Sequence, residues 1–163
     1  MEHINWLSFT GSLTEKMEQQ SGHAMTVELL SQGMAPVYKE ERQLLKLLPR
    51  EWAWVRAVKL YLGGEPWVVA RTVVPPYSFQ GEVNRLKLLK NKPLGPLLFH
   101  RLNAKRCDIA FERVQQAHWP TGLQQQRFSD PLWCRRSLFY VNHQPLLLRE
   151  LFLPEHPVYD HEK

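Results

Sequence analysis

Cysteine is scarce in this sequence. Cys107 and Cys134 are the only two in 163 residues, far apart and in no CxxC arrangement. No disulfide framework is expected, and a reducing cytoplasm is the expected compartment. Long apolar runs are missing too. No stretch approaches the roughly 20 residues that a membrane-spanning helix needs, and PLLLRELFL is short and carries two charges. No integral membrane segment is therefore expected. The start, MEHINWLSFTG, lacks the basic-then-apolar order of a signal peptide. Seven histidines occur, but none forms HExxH or HxxxH, and the cysteines offer no zinc spacing. Walker, GxGxxG and GxSxG patterns are absent as well, so no motif anchors a nucleotide or a metal, which leaves for a metal only a site assembled across the fold. Acidic residues are the minority: 16 Asp plus Glu stand against 21 Lys plus Arg, a net charge of +5. That surplus suits an anionic partner, whether a small carboxylate, a phosphate or a nucleic acid.

What is present fits one globular domain over residues 1–163, with 44% hydrophobic and 23% charged residues. SLTE (12–15) reads as a capping box opening a helix that runs to about Gln20, and Ser21-Gly22 ends it. AMTVELLSQ (24–32) reads as a strand that Gly33 and Pro36 interrupt, with VYKEERQLLKLLP as a strand end and linker. Residues 52–62 and 67–74 flank GGEP as a β-hairpin. EVNRLKLLKN (82–91) predicts a short basic helix, and KPLGPLLFH a helix broken by Pro93 and Pro96. CDIAFERV (107–114) predicts a strand, and 115–131 a long exposed loop. LWCRRSLFYV and PLLLRELFL form a second hairpin around NHQ, and PEHPVYDHEK reads as a loose tail. Sequential hairpins imply antiparallel pairing, so the fold class is α+β.

Alternate side chains of a strand share a face. That rule puts Arg56 on a row with Trp52, Trp54, Val58, Leu60 and Leu62. Arg71 shares a row with Trp67, Val69 and Val73, and Glu150 one with Leu146, Leu148 and Phe152. Each charge stands where core is expected. An unpaired buried ion costs several kcal/mol, and arginine keeps its proton, so Arg56 needs an anion. An internal Arg56–Glu150 pair would be one answer, with Arg71 capping carbonyl groups. A pocket whose arginine forks onto a ligand carboxylate, beside a glutamate that handles a proton or hydroxyl, is the other. The basic stretch RLKLLKNK (85–92) reads as a solvated face, His143 as a turn residue, and the tryptophans as core.

Four separated stretches carry a resemblance: GEPWVVARTVVP (64–75), KPLGPLLF (92–99), LWCRRSLFYV (132–141) and QPLLLRELFLPEHPVY (144–159). WVRAVKLYL (54–62) and SLTEKMEQQ (12–20) fit less closely. In this order they resemble bacterial chorismate lyase, which makes 4-hydroxybenzoate for ubiquinone. The resemblance implies an antiparallel sheet with flanking helices and a ligand cavity under helical flaps. It implies that Arg56 holds the ring carboxylate and that Glu150 meets the ring hydroxyl. Leu94 would add backbone contacts. Leu13 falls where the family's flap carries methionine and keeps the lid apolar. Arg71 would be a second basic group near the cavity, able to hold the enolpyruvyl carboxylate. The implied reaction is a carbon–oxygen lyase step, chorismate to 4-hydroxybenzoate and pyruvate, without cofactor or metal and with product inhibition. A monomer with no nucleic-acid partner is the working expectation. The alternative is a non-catalytic, effector-sensing domain of the same fold, as in certain bacterial transcription regulators. Those carry an N-terminal DNA-binding domain, which is not expected before the first helix here.

Overall fold

The structure is a computed structural model that describes residues 2–115 and 131–162. Two helices come first, α1 (Glu2–Leu7) and α2 (Leu13–Ser21). The expected cap is there: Ser12 Oγ accepts the Glu15 N–H at 3.3 Å. Gly22 closes the helix at φ 74°, a left-handed position that suits glycine. A helix this short gains little from its own hydrogen bonds, so packing of Leu13, Thr14 and Met17 must hold it.

Strand β1 (Met25–Pro36) is longer than the sequence suggested. Gly33 continues it at φ 146°, which glycine tolerates. Pro36 sits at its very end, opposite Trp52, and β1 is an edge strand, where proline does least harm. The expected linker hides a helix, α3 (Lys39–Leu44). Its start is held by Glu41, whose Oε1 accepts the Tyr38 N–H at 3.0 Å. Strands β2 (Trp52–Leu62) and β3 (Glu65–Val74) form the predicted hairpin. Gly63 and Gly64, at φ 60° and 82°, make its turn. Trp52 stays 54% exposed at the strand start, off the core row the alternation gave it.

The two helices expected after β3 come out differently. Gly81–Leu88 winds as 3₁₀ turns, and Leu94–Pro96 (α4) runs straight into a π-turn, Leu97–Arg101. Strands β4 (Lys105–Val114), β5 (Leu132–Val141) and β6 (Gln144–Phe152) complete the sheet. The loop expected over 115–131 lies, apart from its two end residues, outside the described residues. The tail is not loose. His156, Val158 and Tyr159 are buried, and the Tyr159 hydroxyl donates to Phe152 O and accepts from Trp133 N, both at 2.7 Å.

The six strands run in the order β1-β2-β3-β6-β5-β4, all antiparallel. Both faces are covered. α1, α2 and α4 lie over the larger core, and α3 covers a smaller cluster of Leu45, Leu47, Val55, Val73 and Leu147. Among the described residues no helix is long and apolar enough to cross a membrane.

Candidate active site

Pairing in the sheet decides which charges meet. Arg56 stands opposite Thr72, which stands opposite Leu148. One rung along, Val58, Ala70, Glu150 and Arg135 follow one another across four strands. All of these side chains line one cavity between the sheet and the helices. It encloses about 550 Å³ free of protein atoms, part of it continuous with solvent.

Arg56 is 1% exposed. Its Nη2 donates to the carbonyls of Lys90 and Lys92, at 3.1 and 2.8 Å. Its Nε is closed off from solvent and has no partner among the described residues. Burial pulls its pKa down to about 10, which still leaves it charged at pH 7. Glu150, 4% exposed, accepts from Arg135 Nε at 2.9 Å. Arg135 also donates through Nη1 to Phe9 O at 2.7 Å and, more weakly, to Trp6 O at 3.4 Å. A further arginine, Arg106 on β4, lines the same cavity and donates to Phe9 O at 3.1 Å. Three guanidinium groups therefore share the chamber with one carboxylate, and that carboxylate is taken by Arg135. The Arg56–Glu150 pair offered by the sequence does not form.

Two covers close over these charges. Leu13, Thr14 and Met17 of α2 form one, and Leu94, Gly95 and Leu98 the other. They touch at Gly95, where an added Cβ would lie 2.9 Å from both Ser12 Oγ and Thr14 Oγ1. His100 Nε2 and Glu15 Oε1, 2.7 Å apart, tie the same two segments at the surface. The sheet floor and the covers are apolar apart from the arginines, Glu150 and two threonines, a setting suited to a small aromatic acid.

Comparison with known proteins agrees with this picture. The chorismate lyase family profile matches residues 2–163. A chorismate pyruvate-lyase of Pectobacterium carotovorum is 36% identical, covering 97% of this chain and 81% of that protein. One from Hamiltonella defensa is 34% identical, covering 100% and 84%. This chain belongs to the chorismate lyase family. Among solved structures, the effector domain of PhnF from Mycobacterium smegmatis superposes with a TM-score of 0.61 at 14% identity. The match covers 89% of this chain and 90% of that one, a likeness of fold alone.

Measured against what the chorismate lyase resemblance implied, Arg56, Glu150, Leu13 and Leu94 come together at the cavity. Arg71 does not. Neighbours Ala70 and Thr72 face the cavity, so Arg71 faces the other way. There it forks onto Glu41 of α3, Nε to Oε2 at 2.8 Å and Nη2 to Oε1 at 2.9 Å, and Arg149 joins at 3.2 Å. This corrects both sequence-based roles for Arg71, near the cavity and as a carbonyl cap. Of the row it was read on, Val73 packs in the second core beside α3, whereas Trp67 and Val69 pack in the larger one.

Arg135 and Arg106 escaped the sequence reading. Arg135 could have been found, because counting back equally from both sides of the Asn142-His143 turn sets it opposite Glu150. Arg106 lies before the strand boundary expected at Cys107, and β4 is an edge strand with mixed exposure, so no clean alternation marks it.

Proposed function

We propose that this chain is a chorismate pyruvate-lyase, and that it converts chorismate to 4-hydroxybenzoate and pyruvate. One observation carries the reading. Beneath two covers, an apolar cavity holds Arg56 without a carboxylate partner among the described residues, across the sheet from Glu150. A small aromatic acid bearing a hydroxyl opposite its carboxylate completes both ends.

The chemistry needs no electron acceptor. The ether bond from ring to enolpyruvyl group breaks, and its electron pair leaves on oxygen as the enolate of pyruvate. The hydroxyl-bearing carbon loses its hydrogen as a proton, and the ring becomes aromatic. The leaving enolate regains a proton as it becomes pyruvate. The protein must fix the ring and stabilise charge on the departing oxygen. In our reading Arg56 holds the ring carboxylate by charge-assisted hydrogen bonds, and Glu150, steadied by Arg135, positions the ring hydroxyl and handles a proton. Leu13 and Leu94 close the apolar walls. The product keeps the carboxylate and hydroxyl that Arg56 and Glu150 would grip, so it leaves slowly and inhibits. The same reading has the chain act as a cytoplasmic monomer, which suits its two free cysteines.

The test is incubation of purified protein with chorismate. Pyruvate and 4-hydroxybenzoate should appear in equal amounts, and added 4-hydroxybenzoate should slow the reaction. An effector-sensing module of the same fold would bind ligand and release nothing, and that result would end the lyase reading. Glu150→Gln refines it. We expect kcat to fall about 100-fold or more, with the melting temperature lowered because Arg135 loses its buried partner. Unchanged kcat below the melting range would reduce Glu150 to a wall residue.

A further inference from the structure

Chorismate carries two carboxylates and its aromatic product only one. Arg56 accounts for the ring carboxylate. The second, on the enolpyruvyl arm, has no receptor once Arg71 is seen to face α3. We propose that Arg106 is that receptor, a substrate-positioning residue that grips the enolpyruvyl carboxylate and so distinguishes substrate from product. This inference rests on the lyase reading above.

Charge balance is the first support. Of the guanidinium groups lining the cavity, Arg135 is neutralised by Glu150. Arg56 and Arg106 meet no carboxylate among the described residues. Each hydrogen-bonds only to backbone carbonyls there, and each has an Nε shut off from solvent without a partner. Two unmatched cations in one apolar chamber fit a dianion.

Location is the second. The ether oxygen is attached to the ring carbon next to the one bearing the hydroxyl. If Glu150 meets the hydroxyl, the arm leaves the ring beside Glu150. Arg106 is close enough to feel both Glu150 and Arg135, and these charges act on its pKa after burial has pulled it down to about 10. Preorganisation is the third. The guanidinium lies over the rings of Phe139 and Phe99, 4.7 and 5.7 Å from their centroids, and those rings pack edge to face. A flat cation stacked in this way is already oriented for a carboxylate. Once the ether breaks, the same grip steadies the negative charge of the leaving enolpyruvate. The product has no arm, so Arg106 adds nothing to its retention.

The test compares two probes that differ only in the arm: 4-hydroxybenzoate bearing a carboxymethoxy group at carbon 3, and the same acid bearing an ethoxy group. Titration calorimetry on the wild type should show the carboxylate-armed probe binding about 10- to 100-fold more tightly. Arg106→Met should erase that preference, leave the affinity for plain 4-hydroxybenzoate within about twofold, and cut kcat/KM for chorismate about 10- to 100-fold, all from the one lost charge-assisted contact. Arg106→Lys should recover part of the loss. Equal affinity of the two probes for the wild type overturns the assignment without any variant having to fold. So does an Arg106→Met protein that loses plain 4-hydroxybenzoate in equal measure. If the wild type prefers the armed probe but releases no pyruvate from chorismate, the lyase reading fails while Arg106 remains the receptor for the arm.

Discussion

Replacing Arg56 by methionine should abolish most activity while leaving the protein at least as stable as before. The two halves of that result have one cause. Arg56 is a buried cation without a counter-ion among the described residues, and folding pushes its pKa down, so its charged form opposes folding at neutral pH. A methionine of similar length removes that cost and fills the space. The ligand, however, loses its charge-assisted contact, worth about 1.5–3 kcal/mol in binding. The expected result is a fall of about 10- to 100-fold in 4-hydroxybenzoate affinity, a larger fall in kcat/KM, and a melting temperature equal to or above the wild type. Normal turnover in this variant would remove Arg56 from the site. A collapse in stability would instead mark it as a structural clamp for the Lys90 and Lys92 carbonyls.

Glu41→Gln should do the reverse, damaging stability and sparing the chemistry. Glu41 is fully buried and faces two guanidinium groups, Arg71 and Arg149. Burial alone would raise its pKa. The hydrogen bonds and charge of Arg71, the Tyr38 N–H and Arg149 outweigh that and hold it below the ordinary value of 4.5. Removing its charge takes the carboxylate from Arg71 and one partner from Arg149, and breaking a buried pair in this way costs about 3–5 kcal/mol. In a chain of this size the melting temperature should fall by roughly 10 °C. The sign with pH follows from the depressed pKa. Stability from Glu41 is complete above the unfolded-chain value near 4.5 and is lost as pH falls through the lower folded value. Denaturant melts of both proteins should therefore differ most near pH 7 and converge in acid. At temperatures well below melting, kcat should match the wild type. A variant as stable as its parent at pH 7 would show that this cluster contributes nothing net.

Much of the cavity was legible because alternation along a strand is a local rule. Arg56 and Glu150 stand out among apolar neighbours, and the structure buries both. What alternation does not supply is the choice of layer. Arg71 obeys the same rule as Arg56, yet the sheet is covered on both faces, and a cation on either row meets a core. Only α3 shows which core, and α3 lies in a charged stretch with no apolar periodicity of its own. Glu41 went unnoticed there because nothing local marks it; its partners come from β3 and β6. The C-terminal segment was misjudged for a related reason. Its polar, proline-rich sequence looks unstructured until Tyr159 is seen bridging Phe152 and Trp133.

The adjacent pair Arg135-Arg136 has a consequence for how the chain finds its pairing. Arg135 answers Glu150 inside the cavity, and Arg136 answers Glu40 on the opposite side. Sliding β5 by one residue would leave only one of the two acids facing an arginine, with Ser137 or Cys134 in the other place. The two charge pairs thus hold the alignment together with the tight bend at Asn142 and His143, whose φ angles of 50° and 66° suit a two-residue hairpin turn. One residue added to that bend would move Arg135 out of line with Glu150, toward the far end of the hairpin.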